Sequence, residues 1–94
     1  GPYRGAGRPE GNYYLERLID NAAAAIGIDR LELRRRNHIR PQDLPWKAPS
    51  DMTYDSGDFG AVMEEALRRA DAQGFAKRKA ESRARGKLRG LGVG

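Results

Sequence analysis

The residues best placed to do chemistry lie within the first eleven positions, where Gly5-Ala6-Gly7-Arg8-Pro9-Glu10-Gly11 runs into the start of a helix. Glycines let a backbone approach a ligand closely, and the N–H groups at a helix start attract anions such as phosphate. The spacing does not match G-x-G-x-x-G, no strand precedes it, and the lysine-serine pair of a P-loop is missing. Taken by residue type alone, this is either an anion-receptive loop or a structural turn.

Other candidate groups are sparse. With no cysteine there is no disulfide, thiolate metal site or thiol nucleophile. His38 is the one histidine, placed by the end of a predicted helix, where a cationic or hydrogen-bonded cap suits it better than metal ligation. Glu10, Glu16, Glu64 and Glu65 fall at helix starts or on helix faces and read as surface carboxylates. Arg34, Arg35 and Arg36 read as a charge cluster at a helix C-terminus. Residues 75–94 hold seven of the 18 Lys and Arg residues against one acid, Glu81, so the net charge of +5 is concentrated at the C-terminal end. Such a tail can meet nucleic acid or an acidic protein partner, or be a solvated face.

The elements that must position these groups are mainly helical. Pro9 and Glu10 suit a first turn, and Leu15, Leu18, Ile19, Ala22 and Ile26 follow at helical spacing up to Gly27. Asp29 is placed to cap a second helix, with Glu32 answering the cap. Pro41, Pro45 and Pro49 break regular structure over a long connection that carries Trp46 and Tyr54. Asp58 caps a third helix with the face Phe59, Val62, Met63, Ala66, Leu67 and Ala70. Gly74 is expected to end that helix, and Phe75 to Arg85 to form a short basic one. The stripes of the first and third helices are expected to bury against each other around Leu15, Leu18, Ile19, Val62, Met63 and Leu67. Leu88-Arg89-Gly90-Leu91-Gly92-Val93-Gly94 alternates like the start of a strand without a partner. No apolar run is long enough to span a membrane, and the composition fits a cytoplasmic protein.

Tyr3-Arg4-Gly5-Ala6-Gly7-Arg8-Pro9-Glu10 resembles a loop of molybdenum hydroxylase large subunits, the family of xanthine dehydrogenases, aldehyde oxidases and aerobic carbon monoxide dehydrogenase. The resemblance continues through the alanine-rich helix, the Arg34-Arg35-Arg36-Asn37 helix end, Tyr54-Asp55-Ser56-Gly57-Asp58-Phe59 and Arg89-Gly90-Leu91-Gly92-Val93-Gly94. It implies a segment of a molybdopterin-binding domain with Tyr3, Arg4, Gly5, Ala6 and Gly7 facing the cofactor. The backbone at Arg4 would help to hold metal and pterin, with Gly5 and Gly7 keeping the approach open. The family's phenylalanine that stacks on purines corresponds to Ala6, and its copper-holding cysteine to Gly5. The family's catalytic glutamate belongs to a different, more C-terminal loop with no counterpart in these 94 residues, so no catalytic residue and no metal ligand is assigned.

The expected architecture is therefore a small bundle of three or four helices with a long Pro-rich loop and a C-terminal strand start, excised from a larger α+β domain. Its parts are a cofactor-facing loop (1–10), a helix pair (11–40), a Pro-rich connection (41–57), further helices (58–86) and the strand start (87–94). The resemblance implies a parent oxidoreductase that hydroxylates a carbon centre or oxidises an aldehyde. Its partners would be the remainder of the large subunit, iron–sulfur and FAD units, and a small-molecule substrate, with no membrane. The segment alone would retain no cofactor and be inactive. The alternative is a free-standing basic helical module that binds nucleic acid or an acidic protein.

Overall fold

The computed structural model describes residues 3–94; the part of the expected loop at Gly1 and Pro2 lies outside the described residues. The chain is mainly α, with four α-helices, two short 3-10 turns and one two-stranded hairpin among the described residues. It divides into two units: one runs to Asn37 and includes Gly92–Gly94, the other is His38–Leu91.

In the first unit, α1 (Arg8–Ile26) carries Pro9 in its first turn, where no N–H donor is needed, and ends on Gly27 at φ 71°. The Ile28 amide donates to the Ala23 carbonyl at 3.0 Å and closes that end. Asp29 then caps α2 (Arg30–Asn37), its Oδ1 accepting from the Leu31 and Glu32 amides at 3.0 Å each. Glu32 does not answer the cap: it pairs with Arg36 at 2.9 Å and lies 3.8 Å from Arg35.

Eight residues are too few for a stable helix without tertiary support. That support is Arg34, whose residue surface is only 7% exposed. Its Nε donates to Glu16 Oε2 at 2.8 Å, and Nη1 donates to Asp20 Oδ1 at 2.9 Å and to the Arg30 carbonyl at 3.0 Å. Nη2 donates to the Glu16 carbonyl and carboxylate. All five guanidinium donors are thereby used. The reading of Arg34 as part of a terminal charge cluster, and of Glu16 as a plain surface acid, is corrected: together they fasten α2 to α1. Ala23, 1% exposed, is the buried apolar residue among those described.

The second unit opens on Pro41–Asp43, a 3-10 turn closed by Arg40 Nε donating to Asp43 at 2.7 Å. The expected structureless connection contains a hairpin instead. Its strands are β1 (Trp46–Lys47) and β2 (Thr53–Tyr54), with Trp46 opposite Tyr54. The Ala48 amide donates to the Met52 carbonyl, and Asp51 takes φ 64° in the turn. Two-residue strands carry no readable alternation, which is why proline content alone pointed to loop.

Asp58 caps α3 (Phe59–Arg69) through the Ala61 amide at 3.0 Å, and the Phe59 ring meets Tyr54 edge-on at 5.9 Å. Gly74 does not end this helix. Asp71 takes the left-handed position at φ 47°, and Gly74, at φ −80°, precedes α4 (Phe75–Ala84). A Cβ there would meet the Asp71 carboxylate and lie 2.7 Å from Arg78 Nη1, both ends of side chains, so a larger residue would displace that pair. Arg78 pairs with Asp71 and donates to the Ala70 and Asp71 carbonyls at 3.1 and 2.7 Å, fixing the corner.

The expected strand start at 87–94 is not formed, and the sheet among the described residues is the β1–β2 hairpin alone. Of the six stripe residues, Leu15, Leu18 and Val62 are exposed, Leu18 at 64%, whereas Ile19, Met63 and Leu67 are half-buried. Periodicity marked an apolar face correctly but could not say what covers it.

Removing the Arg34 guanidinium should therefore cost more than any core truncation. Arg34→Ala is expected to lose roughly 2–4 kcal/mol, because two carboxylates lose their shared partner. Arg36→Ala, an exposed pair, should lose less than about 0.5 kcal/mol, as should Leu18→Ala. Urea unfolding of the three variants tests the ranking.

The same cluster predicts an acid sensitivity. The Arg34 hydrogen bond, opposed by partial burial and aided by Arg30, holds the Asp20 carboxyl below its ordinary value of 3.8. A lowered folded value means the contribution is complete above 3.8 and is lost as pH falls through the lower folded value. The stability gap between the native chain and Asp20→Asn should thus shrink on acidification below that point, and stay level above it.

Candidate functional site

The five residues singled out from the sequence, Tyr3 to Gly7, are all exposed and lie immediately before α1. Four of them in succession take positive φ: Arg4 at 36°, Gly5 at 89°, Ala6 at 41° and Gly7 at 88°. For Arg4 and Ala6 this is a costly conformation, on the order of 1–2 kcal/mol each for an L-residue. Two local bonds hold the turn. The Arg8 amide donates to the Gly5 carbonyl at 2.8 Å, and the Gly11 amide to the Gly7 carbonyl at 3.0 Å.

Each glycine has its own reason. A Cβ on Gly5 would lie 2.9 Å from Pro9 Cδ, so the proline ring packs where a side chain would project. Gly7 is the helix N-cap, and a Cβ there would meet nothing within 4 Å. No side chain caps the α1 N-terminus. Among the described residues, the Gly5, Ala6, Gly7 and Glu10 amides have no hydrogen-bond acceptor. The Arg4 guanidinium carbon stands 5.6 Å from the Tyr3 ring centroid. The geometry is an open, donor-rich turn at the positive end of a 19-residue helix, able to receive an anionic group by backbone contact.

Glu16 is taken up by Arg34, and Glu65 pairs with Arg68 and Arg69, whose hydrogen bonds lower its carboxyl below the ordinary range. His38 is not the helix cap expected of it through Nδ1, which is buried without a partner. Asn37 serves instead, its Nδ2 donating to the Leu33 carbonyl at 2.7 Å. Among the described residues no three His, Asp or Glu side chains are grouped to hold a metal. The basic Lys77, Lys79, Arg83 and Arg85 are exposed on α4 and just beyond it. The functional feature that residue types alone missed is the Arg34 clamp. Its signal was the i, i+4 spacing of Glu16 and Asp20 on the side of α1 away from the leucines.

The molybdopterin cofactor-binding domain family matches residues 1–38, which include the left-handed turn, α1 and α2. The chain is 37% identical over 99 residues to a 6-hydroxypseudooxynicotine dehydrogenase complex subunit gamma of Paenarthrobacter nicotinovorans, matching 100% of this chain and 12% of that protein. It is 34% identical to the nicotine 6-hydroxylase large subunit of the same organism, over 99% of this chain and 11% of that one. The carbon monoxide dehydrogenase large chain of Afipia carboxidovorans is 34% identical over 81% of this chain and 9% of its own length. The chain thus spans about a tenth of the length of the curated relatives it matches. It belongs to the molybdenum hydroxylase large-subunit family, as a segment of the molybdopterin-binding part of that subunit.

Proposed function

We propose that this chain supplies one cofactor-facing loop, Tyr3 to Gly7, to a molybdenum-dependent oxidoreductase that hydroxylates a carbon centre or oxidises an aldehyde. The observation that carries the reading is the run of four positive-φ residues in front of α1, where the Gly5, Ala6 and Gly7 amides have no acceptor among the described residues. Strain of this kind persists where the surrounding structure and a bound group over-determine it. The fit to molybdopterin is one of backbone chemistry. The open space at Gly7 admits close approach, and the free amides and helix dipole favour an anionic ligand.

The cofactor, when bound, supplies a redox metal at which oxygen from water is delivered to the substrate carbon. Every group this chain adds is for holding and orienting. The Gly5 to Gly7 amides hold the ligand, Pro9 and Gly5 set the turn, and α1 braces it. The general base and the electron acceptors, iron–sulfur and flavin units, belong to other parts of the complex. Ala6 offers no ring to stack on a purine, and Gly5 no thiolate for copper, so neither purine stacking nor copper-dependent chemistry is assigned to this loop.

Three measurements test this. The purified 94-residue chain should carry no stoichiometric molybdenum and reduce no dye with any aldehyde, because one loop is only part of the contact set. Tight molybdenum in the isolated chain would contradict the reading. In the full-length subunit, Gly7→Val fills the open approach and should lower molybdenum content at least about tenfold by elemental analysis, a loss near 1.4 kcal/mol of binding. Ala6→Gly relieves one strained residue at some entropic cost and should protect the first-turn amides of the isolated chain slightly, by less than about 1 kcal/mol. Faster exchange there would show the left-handed turn is not populated.

A further inference from the structure

We infer that the apolar face of α1 is a docking surface closed by another part of the same large-subunit polypeptide; this rests on the family reading above. At 100° per residue, Gly11, Tyr14, Leu15, Leu18, Ala22, Ala25 and Ile26 fall within one arc of about 120°. All seven are exposed, and none is charged. Roughly opposite lie Glu16, Asp20 and Ala23, the face that Arg34 and α2 occupy. One side of α1 is thus fully engaged inside the chain, while its apolar side meets water.

Ala22 and Ala25, flanked by Leu18 and Ile26, leave a shallow notch where a second helix could approach to about 8–10 Å between axes. The occupant is assigned to the same polypeptide because the curated relatives carry about nine-tenths of their length outside the stretch this chain matches.

The test places a reporter thiol on the arc, Leu18→Cys, in the 94-residue chain and in the full-length subunit. Maleimide labelling of that peptide is followed by mass spectrometry, with the oligomeric state of the chain from sedimentation. The expected result is rapid labelling of a monomeric chain and protection by roughly a hundredfold in the folded subunit, lost in urea. Equal labelling of both overturns the inference. A dimeric chain with the thiol protected in the dimer also overturns it, in favour of a second copy as occupant. Molybdenum content of the same subunit keeps the two ideas apart. Protection without molybdenum would sink the cofactor reading and leave the docking surface standing, and molybdenum without protection would do the reverse.

Discussion

The five-donor grip of Arg34 on Glu16, Asp20 and two main-chain carbonyls is the constraint on which the N-terminal unit depends. This unit buries almost no apolar side chain, so its two helices cannot be held by hydrophobic contact alone. Burial by itself works against the Arg34 charge; the Glu16 and Asp20 bonds outweigh it and raise the guanidinium pKa above its ordinary value. Without the clamp α2 is a short, highly charged helix of little intrinsic stability. With it, α1 gains a fixed neighbour along its middle turns, and the turn at its N-terminus rests on a braced helix.

That turn is where local strain and the proposed ligand contact coincide. Four left-handed residues aim several amides outward, and Arg8 and Gly11 spend theirs on holding the shape. An anion accepted there would be read by backbone rather than by side chain. Side chains at Arg4 and Ala6 are then free to differ between relatives that act on different compounds. Gly5 is more constrained, because its missing Cβ is where Pro9 packs. A cysteine at that position would require this proline to shift.

What could be read from the sequence was local. Pro9, Gly27, Asp29 and Asp58 each announce a helix boundary by chemistry that acts within four residues, and each sits where expected. What could not be read depended on distant partners. Arg34 looked like one of three equivalent arginines, since only the placement of α1 against α2 separates it from Arg35 and Arg36. Gly74 was misplaced because its role is to make room for Asp71 and Arg78 rather than to adopt positive φ. The loop itself was ambiguous by residue type, and its left-handed backbone was not legible in the sequence, since Arg4 and Ala6 are not residues that favour positive φ. The apolar arc of α1 was visible as a pattern, but a pattern names no partner.

The account stands on the loop from Arg4 to Gly7 being in contact with the cofactor. The most direct measurement is a crystal structure of the intact, molybdenum-loaded subunit, with the metal located by its anomalous signal. The account predicts at least one amide of residues 4–7 within about 3 Å of a cofactor oxygen, nitrogen or sulfur atom, or one bridging water away. A loaded subunit in which this loop faces solvent, with the cofactor held wholly by other segments, would contradict it.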